Sequence, residues 1–196
     1  SVDGAIQESE YIFSDNGRLA SKADPVHILE IGFGTGLNAF LTALKSCNGN
    51  RKVHYTSVEK YPLPEEITGL LNYHLFKGED TRNMFYNIHS SPWNCEVRIC
   101  DNFILKKIES DITKSFPDGS FDLVYFDAFG PDKQPEMWSI EIFKKIAGST
   151  RENGIFITYS AKGEVKRNLR SNGFTVTMLP GPPGKRQIIR ANKNAN

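Results

Sequence analysis

Two stretches of this 196-residue chain carry residue types whose order could do chemistry. The first is Glu30-Ile31-Gly32-Phe33-Gly34-Thr35-Gly36-Leu37-Asn38, which follows an apolar run and opens an amphipathic one. Glycines let a chain turn tightly and let a ligand approach the backbone. The first turn of a helix then offers unpaired N–H groups. The spacing is G-x-G-x-G, not the G-x-G-x-x-G of dinucleotide folds. Glu30, one residue ahead of the first glycine's neighbour, disfavours a pyrophosphate there and suits an ammonium group, directly or through water. A bare strand–helix turn would also explain the loop alone. Glu59, about two dozen residues on at the end of the alternating second strand, strengthens the ligand reading, because a carboxylate there can accept both ribose hydroxyls of a nucleoside. Asp101 and Asn102 follow a third apolar run and could read an adenine amine; a helix N-cap is the competing role for Asp101.

The second stretch is Phe121-Asp122-Leu123-Val124-Tyr125-Phe126-Asp127-Ala128-Phe129-Gly130-Pro131. An apolar strand ends in Asp127 and breaks into a turn. Ligands of open parallel sheets bind at the carboxyl ends of strands, where the strand order switches. Asp127 is therefore placed to act on a substrate, with Phe129 beside it to stack on a base. A carboxylate there can orient an amine and stabilise positive charge developing on nitrogen. A turn-forming cap is the plain alternative for Asp127. Met137 and Trp138 read first as core.

The elements that must position these residues alternate. Strands are expected over 26–31, 53–58, 95–100, 121–126 and 154–159, and helices over 37–45, 64–72, 103–112, 135–147 and 164–171. Two final strands, 174–179 and 187–191, flank the turn Pro180-Gly181-Pro182-Pro183-Gly184. Residues 1–25 form a lead-in segment ahead of a domain spanning 26–196. Residues 73–94 read as a lid or insertion. The pattern predicts an α/β fold with a doubly wound, mostly parallel seven-stranded sheet, the Rossmann-like architecture of class I methyltransferases.

Composition fits one domain, with 39% apolar and 24% charged residues and a formal net charge of +1. Cys47, Cys95 and Cys100 have no CxxC spacing and read as buried thiols of a reducing compartment. His27, His54, His74 and His89 are scattered, so no metal site is expected. No apolar run is long enough to span a membrane and no signal peptide is visible, which predicts a cytoplasmic protein. Charge is uneven: Lys162, Lys166, Arg167, Arg170, Lys185, Arg186 and Arg190 face one acid, Glu164, between positions 162 and 190. That segment is a candidate surface for a polyanion.

Several separated motifs together resemble a known family. "EIGFGTGLN", "SVEKYPL", "DLVYFDAFGPDKQPEMW", "GIFITYSAKGEVKRNLRSNGF", "PGPPGKRQII" and the lead-in "DGAIQESEYIFSDNGRL" are similar to the methyltransferase domain of the tRNA 5-methylaminomethyl-2-thiouridine biosynthesis (MnmC) family. The resemblance implies an S-adenosylmethionine (SAM)-dependent N-methyltransferase acting on the aminomethyl group of 5-aminomethyl(-2-thio)uridine at the tRNA wobble position. By motif match, Gly32, Phe33, Gly34, Gly36, Asn38 and Glu59 would bind SAM, joined by Glu30, Thr35, Asp101 and Asn102. Asp127 would be the active-site aspartate, with Phe129 at its side. Tyr159, Lys166, Arg167, Lys185 and Arg186 are the candidate contacts to the tRNA anticodon loop. The chain departs from the family at Pro182, where an aromatic residue is usual, and at Lys162, where a small one is typical. Many members continue into an FAD-dependent oxidase domain. No second glycine fingerprint follows here, so the amine is expected to come from a separate oxidase or modification enzyme, or from an oxidase domain of a longer protein cut at the domain border. The alternatives are an aminopropyltransferase of the spermidine-synthase type and a noncatalytic tRNA-binding module. A nicotinamide dehydrogenase is disfavoured by the loop spacing.

Overall fold

In the computed structural model, which describes residues 1–78 and 81–195, the central strands form because their apolar runs are long enough to be buried on both faces. Strand β1 (Val26–Ile31) sends Val26 and Ile28 to one core and Leu29 and Ile31 to the other. Strand β5 (Phe121–Phe126) does the same with Leu123 and Tyr125 against Val124 and Phe126. The second core is aromatic: Phe126 packs on Trp138, Phe143 and Phe156, with ring centroids 4.7, 5.9 and 5.6 Å away.

The remaining strands are β2 (Val53–Glu59), β3 (Glu96–Cys100), β4 (Phe103–Glu109), β6 (Thr150–Thr158), β7 (Phe174–Pro180) and β8 (Gln187–Lys193). Among the described residues eight strands form one sheet, ordered β3-β4-β2-β1-β5-β6-β8-β7. The neighbours β4, β2, β1, β5 and β6 run parallel, while β3, β8 and β7 pair antiparallel. The order reverses between β1 and β5, so the sheet opens a crevice at their carboxyl ends. The doubly wound sheet and its terminal strand pair agree with the sequence reading; the eighth strand does not.

That extra strand corrects the reading of residues 95–112. Phe103–Glu109 is not a helix but the parallel neighbour of β2, and Glu96–Cys100 is only its antiparallel edge partner. Lys107 disguised the alternation. It points to the same side as Phe103 and Leu105 and is 1% exposed. Its ammonium donates to the His89 carbonyl at 2.8 Å and lies 4.8 Å from the Trp93 ring centroid and 5.4 Å from that of Phe33. Those contacts replace part of the lost water, and burial still pushes the amine down to about 8.

Among the described residues the α-helices are α1 (Val2–Ser9), α2 (Leu37–Cys47), α3 (Glu65–Thr68), α4 (Arg82–Ser90), α5 (Ile140–Ser149) and α6 (Gly163–Ser171). Helix α1 runs on through Glu10–Arg18 in wider i→i+5 turns, and Ile6, Ile12 and Phe13 enter the first core. The lead-in therefore shares the domain's core. The expected helix at 64–72 shrinks to α3, and the one at 135–147 splits into a 3-10 turn, Pro135–Trp138, and α5, which Ser139 caps. Within 73–94, Phe85 and Ile88 are buried and Phe85 packs edge-on against Phe40 of α2, so this stretch walls the first core.

The cysteines also differ from the reading. Cys47, at the end of α2, is bonded to Cys100, at the end of β3, with Cα atoms 6.0 Å apart across 53 residues of sequence. The β3–β4 hairpin is what carries Cys100 to α2. Cys95 is a free, exposed thiol. Among the described residues no helix is long and apolar enough to cross a membrane, and no group of His, Cys, Asp and Glu is placed to hold a metal ion.

Candidate active site

The crevice at the carboxyl ends of β1, β2, β4, β5 and β6 holds a cavity of about 880 Å³. Small-molecule sites run to roughly 300–1,000 Å³, so there is room for a nucleoside-sized cofactor and part of an acceptor.

The floor is the glycine loop. Gly32 has φ +96°, and a Cβ there would sit 2.7 Å from the Asp127 carbonyl oxygen, so only glycine lets β1 and β5 close up at the switch point. The Gly32 amide donates to the Val58 carbonyl and the Asp127 amide to the Ile31 carbonyl, both at 2.9 Å, locking the loop between β2 and β5. Gly36, left-handed at φ +71°, starts α2 without any side-chain cap. The first N–H groups of α2 are thus left for a ligand, and Leu37 and Asn38 line the cavity there. Phe33 and Thr35 line it too; Thr35 Oγ1 accepts from the Tyr73 hydroxyl at 3.2 Å.

One wall belongs to β2 and β4. Glu59 reaches the cavity, and its two carboxylate oxygens accept from the Gly34 amide at 3.0 Å and the Tyr61 amide at 2.9 Å. Beyond it stands Asp111, just past the end of β4. Its carboxylate accepts from the Thr113 amide and hydroxyl at 3.0 and 2.6 Å and pairs with Lys60 at 3.0 Å. The Thr113 hydroxyl and Lys60 hold that carboxyl down at about 2. Asp111 occupies the place foreseen for Asp101 and Asn102. These two sit in the β3–β4 turn at the opposite end of the sheet, where the Asn102 carbonyl accepts from Val53, the first residue of β2, and its amide donates to Gly49. Once 103–109 is a strand, the acid following its carboxyl end is Asp111. A strand reading of that segment would have found it.

Glu30 is the second displaced expectation. It is 0% exposed, beneath the floor, so direct contact with a ligand is closed. The Ser57 hydroxyl donates to it, and burial, reinforced by Asp127, pushes its carboxyl up to about 8. Burial thus favours its neutral form.

Asp127 lies where β5 ends. Burial pushes its carboxyl up to about 7, and nearby Glu8 adds to the rise. The Asn38 amide donates to it at 2.9 Å, while the Asn38 oxygen accepts from the Ser9 hydroxyl. Asn38, read from sequence as a cofactor contact, thus also orients the aspartate. Phe129 stands at the mouth, 68% exposed. The turn that presents it is pinned twice, by the Trp138 indole on the Phe129 carbonyl at 2.8 Å and by the Tyr159 hydroxyl on the Ala128 carbonyl at 2.7 Å. Trp138 is 2% exposed and belongs to the core.

The far wall comes from both chain ends. Ala5, Glu8 and Ser9 of α1 line the cavity, as do Tyr159 and Lys185. Lys185 sits in the β7–β8 turn, where a Cβ on Gly181 would collide with the Lys185 carbonyl at 2.2 Å. Its ammonium points inward, paired with Glu8 and 5.0 Å from the Tyr159 ring centroid. Arg186 points out and is exposed; Lys166 and Arg167 stand on α6, outside the cavity lining. The lead-in motif drew attention to α1, but nothing in its spacing marks Glu8.

Comparison with known proteins agrees with this geometry. Residues 81–194 match a family described as S-adenosyl-L-methionine-dependent methyltransferase. The tRNA 5-methylaminomethyl-2-thiouridine biosynthesis bifunctional protein MnmC of Campylobacter hominis is 34% identical over 194 residues, covering 96% of this chain and 29% of that protein. Its counterpart in Nitrosospira multiformis is 30% identical over 203 residues, covering 97% and 33%. The chain thus spans about a third of the length of these relatives. The crystal structure of MNMC2 from Aquifex aeolicus superposes with a TM-score of 0.76 at 27% identity, over 98% of this chain and 61% of that one. A Pyrococcus furiosus methyltransferase, at 17% identity and TM-score 0.54 over 90% and 79%, shares the fold. With a carboxylate-lined crevice over an uncapped helix, and a family match across more than half its length, the chain belongs to the S-adenosyl-L-methionine-dependent methyltransferases.

Proposed function

We propose that the protein methylates the primary amine of 5-aminomethyl(-2-thio)uridine at the tRNA wobble position. The observation that carries this reading is Asp127: a carboxylate raised to about 7, held by Asn38 at the cavity floor, directly inside an exposed aromatic residue. The names of the MnmC relatives supply the substrate class.

SAM supplies an electrophilic methyl group on a sulfonium. The uncapped start of α2 and the loop Gly32-Phe33-Gly34-Thr35-Gly36 would hold its methionine end, Glu59 its ribose hydroxyls and Asp111 its adenine amine. This fits the chemistry of the donor set: free N–H groups for a carboxylate and acceptors for hydroxyls and an amine. Phe129 stacks on the uracil, which enters from a single-stranded loop as RNA bases commonly do. Asp127 takes one proton from the incoming ammonium, leaving a lone pair on nitrogen, and passes that proton to solvent. Its carboxylate then faces the charge that returns to nitrogen in the methylated product, S-adenosylhomocysteine being the group left behind. A group titrating near 7 is matched to that exchange, and kcat/KM should rise as pH climbs through about 7. Arg186, Lys166 and Arg167 contact the phosphate backbone. A tRNA substrate is the support for a cytoplasmic location, since the Cys47–Cys100 bond removes the free-thiol argument for it. The Cys47–Cys100 bond, at the opposite end of the sheet from the cavity, takes no part in this chemistry.

The test is to incubate the protein with labelled SAM and tRNA bearing the unmethylated amine, then to identify the labelled nucleoside by mass spectrometry. Label on the aminomethyl nitrogen supports the reading; label elsewhere on the RNA, or none, rejects it.

A further inference from the structure

The acceptor side of the cavity already contains a primary alkylammonium, that of Lys185. It is held by a carboxylate, Glu8, and an aromatic face, Tyr159. Asp127 feels both Glu8 and Lys185, and Tyr159 feels both Asp127 and Glu8, so two carboxylates and one cation share this corner. All four residues line the cavity. The chain's own side chain therefore displays how the site receives a cationic amine. The Glu8–Lys185 contact is only partly buried, with side-chain exposures of 39% and 30%, so it can open at modest cost.

We propose that Glu8 is a specificity-determining carboxylate: it takes the cationic amine of the acceptor in exchange for Lys185, whose freed ammonium turns to the substrate's phosphate backbone. This rests on the reading of the acceptor as an aminomethyl nucleoside. The exchange conserves charge in the cavity. One alkylammonium replaces another on Glu8, and the displaced lysine meets an anion that arrives with the substrate. A neutral analogue cannot make the exchange, since it would leave Glu8 without a cation or Lys185 in its way. Selectivity against a hydroxyl in place of the amine follows.

Titration calorimetry on the full chain with S-adenosylhomocysteine present separates the possibilities. The ligands are 5-aminomethyluridine and 5-hydroxymethyluridine, each as the free nucleoside and as its 3′,5′-bisphosphate, which brings the anion for Lys185. The wild type should prefer the amine by about tenfold or more, the size of one charge-assisted hydrogen bond. Glu8→Gln should erase most of that preference. Lys185→Met should keep it, should tighten the amine nucleoside severalfold because the internal competitor is gone, and should lose the extra affinity that the phosphates give the wild type. Melting temperatures of both variants establish that they fold, and Glu8→Ala, which also removes the carboxylate, serves in place of Glu8→Gln if the latter does not. An equal preference in wild type and Glu8→Gln, no preference in the wild type, or a Lys185→Met variant that loses amine binding as Glu8→Gln does would each overturn the proposal; the last would make the pair a brace for α1. Methyl transfer to tRNA is measured separately. Its failure with the amine preference intact sinks the wobble-uridine reading and leaves Glu8 standing.

Discussion

The two walls of the cavity are built on different principles. The cofactor wall is made of backbone and strand ends: Gly32 wedged against Asp127, Glu59 closing β2, Asp111 closing β4. Its parts are set by the parallel sheet, and each lies within a turn of the strand that places it. The acceptor wall is made of side chains from opposite ends of the chain, with Glu8 and Lys185 177 residues apart. The first wall is rigid because moving it means breaking the sheet. The second is joined across its two ends by the partly exposed Glu8–Lys185 ion pair and by the Tyr11 hydroxyl on the Pro180 carbonyl, and the ion pair can exchange partners. A shared donor site with a divergent acceptor site is the division of labour expected when function is grafted onto a common fold.

The contrast can be broken most severely at the residue both walls meet. Asp127→Asn should lower kcat by about 10²–10⁴, the range for a lost general base, while SAM affinity measured by calorimetry stays within a fewfold. Parallel loss of both would mean that the aspartate belongs to the cofactor wall. Gly32→Ala attacks the rigid wall. A Cβ at φ +96° and 2.7 Å from a carbonyl oxygen should cost about 1–3 kcal/mol in strain alone, read as a lower melting temperature together with weakened SAM binding. A variant that melts and binds as the wild type does would show that the loop is not locked.

Asp111→Ala sharpens the comparison further. It should weaken SAM by about tenfold, one hydrogen bond's worth to a charged group, whereas Asp101→Ala should leave affinity unchanged. The reverse pattern would restore the helix reading of 103–112. The smallest effect is on stability. Glu30 ionises at about 8 in the fold and at 4.5 as a free side chain, so the native state holds a proton that the unfolded chain gives up across that window. Its contribution is therefore complete at low pH and is lost as pH rises from about 4.5 to 8. Asp127, raised in the same direction, steepens the slope. Glu30→Gln should flatten the fall in melting temperature between pH 5 and 8 (about the window of the two groups). An unchanged slope would place the titration elsewhere.

What the sequence disclosed follows the same division. Strands β1 and β5 announce themselves because apolar runs buried on both faces need no partner to be recognised, β2 by its alternation, and the glycine loop between β1 and α2 comes with them. Strand β4 does not. Its Lys106-Lys107-Ile108-Glu109 half looks like a helix surface until Trp93, Phe33 and the His89 carbonyl are found around the Lys107 ammonium. That one misreading put the acid that follows the third parallel strand at Asp101 instead of Asp111 and hid the hairpin that joins Cys47 to Cys100. Glu8 was illegible for a different reason: its meaning lies in Lys185 and Asp127, and no local pattern links them. Asn38 was recognised for its place at the start of α2, but its bonds to Ser9 and Asp127 needed the fold.

The central claim is that one cavity places SAM over the glycine loop with its reactive end toward Asp127. A crystal structure with S-adenosylhomocysteine tests it most directly. The ligand's carboxylate should lie on the first amides of α2, its ribose on Glu59, its adenine amine by Asp111 and its sulfur facing Asp127 across an open acceptor space. Adenine at the Asp101 end of the sheet, or a sulfur turned away from Asp127, would contradict the account.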